Sequence, residues 1–132
     1  MKYILIDTSV WIEYFRGSDT INSDIINNFI DNNQICINDL ILSELIPSLK
    51  HKKEHDLIDI LLSIRKIPIE INWQEIINFQ VINLRHGTNN VGIPDLIILQ
   101  NVINHNLSLV SIDKHFGQMK KYIDFSFVDM KK

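Results

Sequence analysis

The chain has 132 residues, 45% of them hydrophobic, and a formal net charge of −3, which sets the expectation of one globular domain over residues 1–132. That composition excludes a disordered tail or a Gly/Ser linker, and its acidity argues against holding nucleic acid by bulk positive charge. No apolar run approaches the roughly 20 residues that a membrane span requires.

Residues 2–7 (KYILID) read as a first strand. Asp7 interrupts this short apolar run, so it does not resemble an export signal, and a cytoplasmic location with no membrane partner is expected. A helix follows over Ser9–Phe15, stopped by Gly17. The stripe Ile21, Ile25, Ile26, Phe29 and Ile30 predicts a helix across Asp19–Asp31. ICI at 35–37 is a short strand, and its Cys36, the sole cysteine, reads as a buried thiol without a disulfide partner. Asn38 or Asp39 then caps a helix reaching about Leu49, which Pro47 should kink or shorten. Leu57, Ile58, Leu61, Leu62 and Arg65 predict a further helix, and IPIE (67–70) a third strand. A helix from about Asn72 runs to Arg85, with Gly87 suited to the position just beyond its end. GTNNVGIP is the longest loop. DLIILQNVINHN is apolar on nearly every side and reads as a helix buried in the core. LSLVSID is a strand, KHFGQMKKY a short helix and FSFV a last strand. Strands joined by crossover helices imply a mainly parallel sheet with helices on both faces, a three-layer α/β/α sandwich.

Four acids sit in apolar surroundings. Glu44 is the only charged residue between Leu40 and Leu49, and Asp95 shares Gly87–Ile112 with no other ionisable residue but His105. Asp7 and Asp113 each follow a strand directly, where the ends of parallel strands border a crevice. Acids are seldom buried unpaired, and no local Lys or Arg is an evident partner for Asp95 or Glu44. Two carboxylates ~5 Å apart repel by about 3 kcal/mol at an effective dielectric of roughly 20, so a converging set needs a cation, and all-oxygen ligation favours Mg²⁺ or Mn²⁺. The plainer explanation of Asp7, Asp95 and Asp113, taken singly, is N-capping, worth about 1 kcal/mol.

IDTSVWIEYFRG, LILSEL and GIPDLIILQNVINHNLSLVSIDKHF resemble, in order, the successive motifs of PIN-domain proteins, most nearly the VapC-like toxins of type II toxin–antitoxin pairs. Such proteins carry an Asp-Thr/Ser-Ser opening, a Glu in the third helix, an Asp opening a late helix, and T-x-D-x-x-F after the fourth strand. Asp7, Glu44, Asp95 and Asp113 match these positions. The chain departs from the pattern with bulky residues in DLIIL, with Ser111 where Thr is usual, and with His115 where some members carry a fifth carboxylate. The last departure leaves the number of metal ions open.

The resemblance implies a ribonuclease toxin whose four acids are both catalytic and metal-binding. They would hold one or two Mg²⁺ or Mn²⁺ ions that activate a water to cleave RNA (a tRNA or rRNA), leaving 5′-phosphate and 3′-hydroxyl ends. Thr8, Ser9 and Ser111 would orient the ligands, although capping is the plainer explanation of Thr8 and Ser9. The resemblance further implies a cognate antitoxin that covers the acids, landing on Trp11, Phe15 and the helix bearing Glu44, and a homodimer. Arg16 and Lys114 are the candidate RNA phosphate contacts at the crevice rim. KHKKEH at 50–55 reads as a solvated turn, and the five histidines show no metal-binding spacing. A receiver-like phosphoacceptor would want paired acids after the first strand and a late Lys-Pro, and a haloacid-dehalogenase-like phosphatase would want an acid at Ser9; both are absent. The remaining alternative is a non-catalytic PIN-like module that binds RNA or protein.

Overall fold

In the computed structural model, which describes residues 2–131, strands and helices alternate. The order is β1 (Ile4–Ile6), α1 (Thr8–Arg16), α2 (Ser23–Asp31), β2 (Ile35–Ile37), α3 (Asp39–His51), α4 (His55–Ser63), β3 (Arg65–Lys66), α5 (Trp73–Arg85), α6 (Ile93–Asn104), β4 (Ser108–Ser111), α7 (Lys114–Lys120) and β5 (Ser126–Asp129). The strands form one sheet in the order β3-β2-β1-β4-β5, every neighbouring pair parallel. From β1 the chain steps outward to β2 and β3, then crosses back to β4 and β5. With right-handed crossovers, this reversal puts α1–α4 on one face and α5–α7 on the other. The expected three-layer α/β/α sandwich is what forms.

Helices on both faces explain why β1 and β2 are apolar and buried at every position instead of alternating. Cys36 is free and fully buried in β2, and burial pushes its thiol up to about 12. Of the helices in the described residues, none is long and apolar enough to cross a membrane.

Three boundaries differ from the sequence expectation. The third strand is Arg65–Lys66, not IPIE, and pairs only with β2. It is an edge strand, and after Ile67 N–H donates to the Ile37 carbonyl at 2.8 Å the next residue, Pro68, has no N–H to continue the ladder. Helix α2 starts at Ser23, because Asn22 caps it by accepting from Asp24 N–H at 3.2 Å, while Ile21 bridges to Lys131. Helix α3 runs through Pro47 to His51. The carbonyl that Pro47 leaves without a helical donor belongs to exposed Ser43, within reach of water.

One buried polar chain sets the two helices that carry Glu44 and Asp95 relative to each other. Asn38, fully buried after β2, caps α3 by accepting from Ile41 N–H at 2.9 Å, and its amide donates to Asn101 Oδ1 of α6 at 3.0 Å. Asn101 in turn donates to the Pro68 carbonyl at 2.9 Å. Replacing Asn38 by Ala removes a cap worth about 1 kcal/mol and strands the Asn101 carbonyl at a cost of about 1–3 kcal/mol. The Asn38→Ala protein is expected to melt on the order of 10 °C below the parent. A calorimetric shift under about 2 °C would show that this network does not brace the fold.

Candidate metal centre

β1 and β4 lie side by side with Ile6 opposite Val110. The residues that follow them, Asp7 and Ser111–Asp113, therefore leave the sheet together at one edge, and Asp7 N–H donates to the Val110 carbonyl at 2.9 Å. This is where the strand order reverses, the place where parallel sheets open a crevice.

Asp7 occupies the N-cap position of α1 but its side chain caps nothing. Its Oδ2 instead accepts from Ser9 Oγ at 2.8 Å and from Ser111 Oγ at 2.9 Å. Ser111 Oγ then accepts the Asp113 N–H at 2.9 Å, tying the first acid to the last. Thr8 Oγ1 donates to Glu44 Oε1 at 2.9 Å and so joins α1 to α3. Capping, the plainer expectation for Thr8 and Ser9, is thus not what they do; both hydroxyls serve carboxylates. Asp95 lies in the first turn of α6, whose N-cap is Gly92, and no side chain caps that helix. Asp113 does cap α7, accepting from His115 N–H at 2.9 Å.

That cap folds His115 back over the acids. Its Nδ1 lies 3.1 Å from Asp113 Oδ1 and 3.7 Å from Asp95 Oδ2. Nδ1 is shielded from solvent, yet it makes no well-formed hydrogen bond to either oxygen. Ligand atoms of Asp95, Asp113 and His115 all lie within 4.8 Å of one another. His115 enters this group as a lone imidazole beside two acids, not through any spacing among the histidines. Asp113-x-His115 converges only once the first turn of α7 winds around its cap, and the departure from the family pattern at 115 was the sequence signal for it.

The acids disturb one another. Burial first, then the charges of Asp113 and Asp7, with His115 opposing and Glu44 adding a little, together hold the Asp95 carboxyl at about 6. Burial also raises Asp7; the hydroxyls of Ser9 and Ser111 and the backbone at Thr8 pull it back, and Asp113 adds to the rise. Glu44 is raised by partial burial, with Thr8 opposing and Asp7 contributing. Among the described residues no Lys or Arg forms an ion pair with any of the four acids. Asp95, Asp113 and the unpartnered His115 Nδ1 form a donor set that fits a divalent ion accepting hard oxygen and borderline nitrogen ligands, while Asp7 and Glu44 lie near enough to raise Asp95 by their charge.

The other expected site residues are placed differently. Arg16 pairs with Glu13 at 3.0 Å and lines a groove of about 220 Å³ between α1, α3 and α4, together with Ile12, Phe15 and Glu44. Lys114 faces the other side, in a groove it shares with His115. Trp11 is 1% exposed and stacked on Phe15 at 5.5 Å. It belongs to the core and offers no landing surface, which corrects that expectation; Phe15 and Ile12 supply the surface at this groove.

Because these carboxyls are held above their ordinary values, the folded chain binds more protons than the unfolded one between the unfolded Asp value of 3.8 and about 6. This contribution to stability is present below that window and lost as pH rises through it. The metal-free parent should therefore melt about 5 °C lower at about pH 7.5 than at about pH 5, and Asp95→Asn should narrow the gap and melt above the parent at the higher pH. Equal pH slopes for the two proteins in scanning calorimetry would remove the case for mutual repulsion.

The sequence profile of the PIN domain family matches residues 4–122. No curated protein sequence gives a match. Among solved structures, the fold is similar to a chain of DNA-bound VapBC from Salmonella typhimurium, with a TM-score of 0.74 and 16% identity over 98% of this chain and 99% of that one. It is similar to a chain of VapBC2 from Rickettsia felis bound to a promoter DNA fragment (TM-score 0.69, 18% identity, 96% of this chain and 97% of that one). A third likeness is to FitAcB from Neisseria gonorrhoeae (TM-score 0.66, 17% identity, 96% of each chain). The profile runs from the start of β1 to the turn after α7 and takes in all four acids, and on that ground the chain belongs to the PIN-domain family.

Proposed function

We propose that this chain is a divalent-metal-dependent endoribonuclease, the toxin of a toxin–antitoxin pair, working on RNA in the cytoplasm. The observation that carries the reading is the convergence of Asp7, Glu44, Asp95 and Asp113 at the sheet's switch point with no basic residue paired to them. Membership of the PIN family supports the nuclease, and structural neighbours that are VapBC complexes support the toxin role.

Asp95, Asp113 and His115 Nδ1 would hold the ion, Mg²⁺ or Mn²⁺, with Asp7 and Glu44 completing the set. When bound, such an ion supplies Lewis acidity, bringing the pKa of a water towards neutrality and offsetting charge that develops on a phosphoryl oxygen. The chain's own part is positional. Ser9 and Ser111 fix Asp7 Oδ2, Thr8 fixes Glu44 Oε1, and the capped turn of α7 sets Asp113 beside His115. These hydroxyls are each committed to a carboxylate and are not nucleophiles; on this reading a water would attack the phosphorus and the 3′-oxygen would leave, taking up a proton, to give 5′-phosphate and 3′-hydroxyl ends. Arg16 and Lys114, on opposite sides of the acids, are the phosphate contacts at the rims.

Mn²⁺ added to chelator-treated protein at about ten times its Kd should stabilise the fold by ~1.4 kcal/mol, a rise of about 5 °C. Asp95→Asn should abolish both this rise and the cleavage of tRNA or rRNA. The imidazole ligand should make Mn²⁺ more effective than Mg²⁺ at equal concentration, an advantage that His115→Asn reduces. No rise in the parent up to millimolar Mn²⁺ would leave a binding module in place of a nuclease.

Two partners fit two surfaces. The α1–α3–α4 groove has an apolar lining of Ile12, Phe15, Leu45 and Leu57, and Glu44 stands in its wall. An antitoxin segment seated there covers the acids. On α5 the exposed residues Trp73, Ile77, Val81 and Leu84 share one uncharged face. An uncharged stripe is complementary to itself, as a two-fold interface requires, so the second copy of a homodimer belongs there. Light scattering should show Ile77→Asp as a monomer and Phe15→Asp as a dimer, and of the two only Ile77→Asp should retain binding to the antitoxin that co-purifies with the parent. Both variants behaving like the parent would remove both assignments.

A further inference from the structure

On the α7 side the acids adjoin a second and larger groove. It has a volume of about 740 Å³ and runs between the loop after α5, His86–Asn90, and α7 with the residues just beyond it. His115 is part of its wall, so it opens onto the candidate metal centre. Among the described residues that line it none is acidic, and Lys114 and Lys121 contribute two positive charges. That is a local reversal in a chain whose net charge is −3. Every lining residue other than Gly87 bears a polar group, so an apolar protein segment would find little here to bury against.

The groove also holds a flat, braced surface. The exposed ring of His86 lies on the ring of Tyr122, with centroids 4.1 Å apart and planes 9° from parallel. The Tyr122 hydroxyl donates to Oδ1 of fully buried Asn83 at 2.6 Å, and His86 Nδ1 lies 2.9 Å from the Ile82 carbonyl. The loop itself is pinned where Thr88 N–H donates to the Asn83 carbonyl at 2.9 Å. Asn90 follows at φ 67°, a left-handed conformation that Asn tolerates. Cations, a rigid stacking surface and side-chain amides in one groove are what an unpaired nucleic-acid strand requires: charge for phosphates, a ring for an unstacked base, amides for base edges and 2′-hydroxyls. The volume falls within the roughly 300–1,000 Å³ of pockets that enclose small ligands.

We propose that this groove binds the single-stranded segment of RNA adjoining the scissile phosphate, one base stacked on the His86–Tyr122 pair, Lys114 and Lys121 on its phosphates, and Asn89 and Asn90 on the base or sugar. That the strand is RNA rests on the ribonuclease reading; the stacking surface itself is read from the geometry. Docking of a duplex is disfavoured, because a paired base has no free face to offer.

The test is fluorescence anisotropy of a labelled ten-nucleotide single-stranded RNA with the full chain in chelator, where no cleavage occurs, beside the same sequence as a duplex. His86→Ala should weaken single-strand binding roughly five- to hundred-fold, the range for removing one base stack, and leave duplex binding unchanged. His86→Phe keeps an aromatic face and should restore binding. Replacing Lys114 and Lys121 by Ala should lower the slope of log affinity against log salt by about 0.7 for each phosphate that is no longer neutralised. The Mn²⁺-induced rise in melting temperature, recorded on every variant, shows that each is folded with its metal centre intact. Single-strand binding by His86→Ala within twofold of the parent, or an equal loss on the duplex, overturns the proposal while the nuclease reading stands. His86-dependent binding in a parent that shows no Mn²⁺ response would instead support the groove and remove the nuclease.

Discussion

Burial and mutual repulsion disfavour the charged form of the carboxyls at the C-terminal edge of β1 and β4, and most of the polar detail in the structure answers that constraint. Two carboxylates ~5 Å apart cost about 3 kcal/mol at an effective dielectric of roughly 20. The chain places four where Asp95 senses the charges of the other three, and it supplies no Lys or Arg among the described residues to pair with them. What it supplies instead are hydroxyl donors, Ser9 and Ser111 on Asp7 and Thr8 on Glu44. Hydroxyls lower the energy of a carboxylate without neutralising it, so the negative potential that would draw a cation is kept.

Such a cluster persists because the backbone beneath it cannot relax. β1 and β4 are buried parallel neighbours, and Asp7 and Asp113 are carried on the turns that leave them. The two acids that come from helices are held at a distance by other means. Asn38 caps the helix bearing Glu44 and is hydrogen-bonded to Asn101 on the helix bearing Asp95, so neither helix can withdraw without breaking a buried amide pair. Gln100, 1% exposed on the same helix, accepts from Asn72 N–H at 3.1 Å and donates to Glu75 at 2.7 Å, fastening α6 to the start of α5.

The sheet also divides the surroundings of the acids. On the α1–α4 side the adjoining groove is lined by Ile12, Phe15, Leu45 and Leu57, with Glu44 in its wall. On the α5–α7 side it is polar, lacks acids and carries two lysines. A protein segment gains most on the first, where apolar area can be buried. A phosphate chain gains most on the second, where charge is available. The first meets the cluster at Glu44 and the second at His115, so the two grooves approach it from opposite sides.

Residue order alone dictates the alternation of strands and helices, the parallel three-layer fold, the burial of α6 and the identity of the four acids. Each of these is a local signal. An apolar run bounded by turn residues reports burial whatever it packs against, and an acid such as Glu44 inside LILSELIP conflicts with its own neighbours. What the polar side chains do is settled only on folding. Thr8 meets Glu44 across 36 residues and Ser111 meets Asp7 across 104, so no window of sequence distinguishes those bonds from helix caps. The same holds for Trp11, which the family resemblance put on a landing surface and packing encloses. It holds as well for His115, placed among the acids by a single turn of helix, and for the Lys114–Lys121 groove, whose two sides lie on separate elements. Hydrophobic burial is written in the pattern of single residues, whereas a site made of directional, short-range bonds exists only where distant segments meet.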